Sequence, residues 1–139
     1  MKSTKKQNTF IIRLEKDEKI IESLTQFCEE NNIKAGSFHG LGACEEATLA
    51  HYNLETKEYT EKTLKQPLEI LHLNGNISEM EGKPYLHVHI VLSDTEMKAL
   101  GGHLKEAIVG PTCEIFLTPL ENAINRKKDK EIGLNLLDM

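Results

Sequence analysis

The 139-residue chain contains no tryptophan, and arginine occurs only twice, as Arg13 and Arg126. With a formal net charge of −5 and a pI near 5.7, this scarcity argues against a protein that grips duplex DNA unaided. Such affinity comes from neutralising phosphates with a basic face. Cysteine is also sparse. Cys28, Cys44 and Cys113 form no C-x-x-C pair and are odd in number, which excludes a disulfide framework and suits a reducing compartment. Each is flanked by apolar residues and reads as a small buried hydrophobe. No apolar run approaches the roughly 18–20 residues that span a bilayer. The lysine-bearing start, Met1 to Asn8, leads into no apolar signal core, so a cytoplasmic setting with no membrane partner is expected. H-E-x-x-H is absent as well, so a zincin-type protease is not indicated.

A chain of this length can bury the core of one domain without disulfides. Residues 1–7 read as a flexible polar lead-in, 8–118 as the domain, and 119–139 as an extension that packs on it or trails from it. Thr9–Leu14 has the β-branched and aromatic content of a strand. From a candidate N-cap at Asp17, apolar residues recur at Ile20, Ile21, Leu24, Phe27 and Cys28. That helical spacing should end near Asn31-Asn32. Gly36, Gly40 and Gly42 lie in a strand that bends or admits another backbone closely. Gly40-Leu41-Gly42-Ala43 is no dinucleotide fingerprint, because the third glycine and the following helix are missing. Further strands are expected at 48–52, 59–64, 68–77, 85–92, 102–109 and 112–117, with Pro111 and Pro119 as punctuation. A turn falls at 81–84. Residues 93–100 read as a polar connection with a helical turn, and the charged stretch 121–130 as the start of a short helix. The order is α+β: a mostly antiparallel sheet, one well-defined helix near the N-terminus, and shorter helical segments.

The chemistry lies in the histidines. His87 and His89 are two apart on a convincing strand, so both side chains point to one face and can converge on one ion. His103 opens the next strand. If it sits directly across from His89, the midpoint of the connection falls at residue 96, inside the polar stretch. Gly101-Gly102 would let the backbone bend and leave room above the site. Three imidazoles leave a coordination position for water or a small anion, and metal-bound water can act as a nucleophile near neutral pH. The competing reading is that these are ordinary sheet histidines. Glu114, on the following strand, is the candidate fourth ligand or supporting carboxylate. Glu69 and His72 differ in parity and are expected on opposite faces. His39 and His51 have no evident partner.

Gly40-Leu41-Gly42-Ala43, Leu68-Glu69-Ile70-Leu71 with Asn74-Gly75-Asn76-Ile77, Leu86-His87-Val88-His89, Gly101-Gly102-His103-Leu104 and Thr112-Cys113-Glu114-Ile115 occur in the order seen in plants-and-prokaryotes-conserved (PPC) domains. The chain resembles that family from about residue 8 to 118. The resemblance implies an α+β domain assembling as a homotrimer, with His87, His89 and His103 matching the zinc-associated histidines of prokaryotic members. Plant members carry AT-hooks that bind A·T-rich minor grooves; no Arg-Gly-Arg-Pro hook occurs here. Of the plant partner-contact motif Gly-Arg-Phe-Glu-Ile-Leu only Glu69-Ile70-Leu71 remains, and Gln66-Pro67-Leu68 replaces its first half.

Three functions are weighed. The least demanding is a trimeric module, binding or regulatory, that holds zinc or another imidazole-loving divalent metal and accepts an unidentified small molecule or anion. The second is a DNA-binding or nucleoid-associated protein, the usual label of the resembled family, against which acidity and the missing hook both count. The third is a metal-dependent enzyme using water at the open position, for which Glu114 alone stands as a testable general base.

Overall fold

The computed structural model describes residues 1–139 and is built on three very long strands. Eight strands and one helix follow in the order β1 (Lys2–Lys6), β2 (Thr9–Leu14), α1 (Ile20–Glu30), β3 (Gly36–Asn53), β4 (Glu58–Met80), β5 (Lys83–Ser93), β6 (Ala99–Pro119), β7 (Arg126–Lys128) and β8 (Asn135–Leu137). The main sheet runs β1-β2-β6-β3-β4-β5, with every ladder antiparallel. Strand β5 also pairs with the beginning of β6, so the four strands β6-β3-β4-β5 close into a ring. β7 and β8 form a separate hairpin.

Alternation along the strands explains the core. On β5, Val88, Ile90 and Leu92 are buried, while His87, His89 and Val91 face outward or lie half-exposed. Ile70, Leu73 and Ile77 of β4 and Val109, Cys113, Ile115 and Leu117 of β6 line the same interior. Ile20, Leu24, Phe27 and Cys28 form the buried face of α1. Each such side chain contributes roughly 1.5–3 kcal/mol. All three cysteines are buried and unpaired, and burial raises the thiols of Cys28 and Cys113 to about 12 and that of Cys44 to about 11. They behave as core hydrophobes. No helix is long and apolar enough to cross a membrane.

The strand break expected at Pro111 does not occur, whereas β6 does end at Pro119. Pro67 falls between Lys65 and Leu68, and Pro111 between Val109 and Cys113, both at register shifts in the ladders with β3. A residue without an N–H is tolerated at a bulge, so the strand bends and continues. Glycine serves the same packing. A side chain at Gly42 would run into the backbone of Thr112 and Cys113.

Three other expectations are corrected. The lead-in is a paired edge strand, with Lys2 to Lys6 opposite Arg13 to Thr9; its lysines suit an edge that should not recruit further strands. Asp17 does not cap α1. It sits at φ 70° and donates its backbone N–H to Val109 O. Instead the Glu106 carboxylate of β6 accepts the N–H groups of Ile21 (2.8 Å) and Glu22 (3.2 Å), so a distant strand caps the helix. No helix forms in 93–100 or 121–130. The first is a turn in which Asp94 Oδ1 accepts the N–H groups of Glu96 and Lys98, and the second leads into the β7–β8 hairpin.

Candidate metal centre

The turn at Asp94 sets the register of β5 on β6, and that register places the histidines. His103 lies directly across from His89, as the midpoint at residue 96 required. His87 shares their face two residues away. The two glycines before His103 act differently from expectation. A side chain at Gly101 would meet Ile90 O at 2.6 Å, and one at Gly102 would meet Ala50 O at 2.9 Å. They let β6 pass tightly between β5 and β3.

His87 Nε2 lies 3.3 Å from His103 Nδ1 and 3.3 Å from His89 Nε2, and one ligand atom from each of the three rings falls within 4.8 Å of the others. Tetrahedral coordination with bonds of about 2.0–2.1 Å sets neighbouring ligand nitrogens about 3.3–3.4 Å apart. Two of the three separations therefore already match a zinc-type site, and the three-histidine group can bind a metal. Its electrostatics agree. Burial, with the charges of His89 and Arg126, lowers the His87 pKa. Burial and the surrounding His89, His87, Lys105 and His51 lower that of His103 to about 4. These imidazoles stay neutral, with lone pairs available, and a metal needs that form.

Beside His87 and His103 opens a cavity of about 340 Å³, walled by Tyr59, Asn76 and Tyr85 of the sheet and by Arg126, Leu134, Asn135, Leu136 and Leu137 of the C-terminal hairpin. The hairpin is docked by Tyr52 Oη donating to Ile132 O (2.7 Å) and by Glu79 N–H donating to Ile124 O (2.7 Å). Arg126 donates from Nε to Ser78 Oγ (2.7 Å), from one terminal nitrogen to Asn135 O (2.6 Å) and from the other to Asn76 Oδ1 (2.8 Å), and its guanidinium lies 4.8 Å from the Tyr85 ring centre. None of this was visible in the sequence, where 121–130 read as a charged tail. The available signal was that Arg126 is one of only two arginines.

Glu114 is not brought to the site. It lies eleven positions beyond His103 on β6, opposite Arg13 on one side and Leu41 on the other, and no carboxylate joins the histidine group. Glu69 and His72 are corrected too. A bulge between Ile70 and His72 breaks the parity, and both are exposed, though neither belongs to the metal group. His39 stacks on Phe116, ring centres 5.7 Å apart. His51 is exposed on β3.

Residues 1–121 match the model of the Plants and Prokaryotes Conserved (PCC) domain. A protein from Bacteroides thetaiotaomicron, provisionally named as DNA-binding, is 36% identical, with 99% of this chain and 96% of that chain covered and a TM-score of 0.96. The metal-containing protein AF0104 from Archaeoglobus fulgidus is 37% identical over 96% of this chain and 94% of that chain, with a TM-score of 0.89. Among curated proteins, the bifunctional protein GlmU of Synechococcus sp. (strain JA-3-3Ab) is 29% identical over 125 residues, 88% of this chain; the chain spans only 19% of that relative's length.

Proposed function

The chain belongs to the plants-and-prokaryotes-conserved domain family, and on that premise we propose that it is a homotrimeric module in which each subunit holds one divalent cation, zinc by preference, on His87, His89 and His103. The observation that carries the reading is the pair of 3.3 Å nitrogen separations, which match tetrahedral spacing. Two further points support it. The surroundings of His87 and His103 favour their neutral forms, and a relative 37% identical is named for the metal it contains. When bound, such an ion supplies a Lewis-acidic centre with a position left for an exogenous ligand.

Trimer formation is supported by an apolar patch on the outer face of the ring. Leu41 (58% exposed), Leu71 (54%), Phe116 (42%) and Val91 (38%) come from four adjacent strands, β3, β4, β6 and β5. Leu41 faces the bulged segment of β4 that carries Leu71, and Val91 faces His72 just beyond it. A contiguous exposed patch of this kind marks an interface, and closed cyclic symmetry covers it without open-ended growth. Duplex DNA binding has less support, since a net charge of −5 and only two arginines disfavour phosphate neutralisation. An enzymatic reading lacks a base: the Glu114 considered from sequence stands elsewhere. Three buried free thiols support the reducing cytoplasm as its setting.

The test is metal analysis of untagged protein. The expected result is near-stoichiometric zinc, lost in the triple variant His87→Ala/His89→Ala/His103→Ala, which keeps its fold. Zinc at about 100 times its Kd should stabilise the wild type by about 2.7 kcal/mol and leave the triple variant unmoved. Absence of both zinc and stabilisation would rule the reading out.

A further inference from the structure

The cavity beside the histidines has an unusual charge balance. Among its ten lining residues Arg126 is the only permanent charge, and none is Asp or Glu. The chain carries 22 acidic against 17 basic residues, and the other arginine pairs with Glu15. Arg126 makes no ion pair; its hydrogen bonds go to a hydroxyl, an amide oxygen and a backbone carbonyl. A half-buried guanidinium without a counter-charge is costly. Pinning the hairpin would be served as well by an ion pair or a neutral donor.

Three of the five guanidinium N–H groups are used. One remains on each terminal nitrogen, the number that meets the two oxygens of a carboxylate. Five of the other nine lining residues, Leu134, Leu136, Leu137, Tyr59 and Tyr85, give the wall an apolar and aromatic share, and the remaining four are the two histidines and two asparagines. The volume of about 340 Å³ suits a small metabolite.

We infer that this cavity, closed by the C-terminal hairpin, binds a short aliphatic carboxylate, with Arg126 as its charge partner and the leucines and tyrosines around its hydrocarbon. One part rests on the proposed function: an ion on the histidines would add positive charge at the same cavity and strengthen the anion's hold. The Arg126 site itself does not require the ion.

The experiment titrates the full chain, both zinc-loaded and metal-free, with 3-methylbutanoate and with the near-isosteric neutral 3-methylbutanamide, by calorimetry. The carboxylate should bind both forms, and the amide roughly tenfold or more weaker. Arg126→Gln should bring carboxylate affinity down to that of the amide while zinc uptake is retained. Because that change could also release the hairpin, Asn76→Asp supplies a second variant. It places a carboxylate against the guanidinium, keeps the hairpin docked, and should abolish the preference for the acid. Equal binding of acid and amide by the wild type, undiminished acid binding in Arg126→Gln, or a full preference surviving in a docked Asn76→Asp would each overturn the inference. Failure to take up zinc would remove the metal reading alone, since the metal-free titration still decides this one.

Discussion

At the scale of residues, His87 and His103 resist protonation chiefly because burial disfavours their charged forms, and nearby positive groups add to the effect. The folded chain holds His103 near pKa 4, whereas an unfolded histidine titrates near 6.5. Between those values the unfolded state binds a proton that the folded state refuses, so stability falls as pH drops through this window and is complete above it. Thermal unfolding of chelator-treated protein from pH 8 to pH 4 should show that decline, and His103→Leu should flatten it; an unchanged slope in the variant would contradict the assignment. His87, His89 and His103 were legible in the sequence because two-residue alternation and a symmetric turn are local rules. Arg126 and Asn76 meet across fifty positions, and nothing local announces such a meeting. Glu114 misled because two neighbouring strand segments turned out to be one long strand, which carries it away from the histidines.

At the scale of elements, the helix was readable and its cap was not. Apolar spacing placed α1 correctly, but Asp17 sits before a residue bridged to β6, and the exposed N–H groups of the first turn are met by Glu106. Glu106→Ala should cost about 1 kcal/mol, as lost caps do, and lower Tm by a few degrees; Asp17→Ala should fall well short of that. Measured unfolding curves of the two variants separate the assignments. Pro111 resembles a terminator and split β6 in two, and Pro67 lies in the gap left within β4. In the fold they sit at bulges, where a missing N–H removes no ladder bond. The same cause undid the parity argument for Glu69 and His72. Sequence alternation marks faces correctly only while the register runs unbroken.

At the scale of the whole molecule, the antiparallel α+β architecture was legible from composition and order, but the closure of the sheet was not. Closure leaves the lysine-bearing β1 as an edge, so the case for assembly rests on the outer apolar patch. Sedimentation should give a mass near three times 15.7 kDa, and Leu71→Glu should give folded monomer; a wild type that sediments as monomer would sink the trimer. The ring itself is joined unequally. β3 and β4 share a ladder running from Gly36 to Asn53, whereas β5 and β6 meet only from His89–His103 to Ser93–Ala99. The histidines stand at the end of that brief junction. An ion held there would act as a rivet at the shortest weld of the hoop, stiffening a circle that already closes without it.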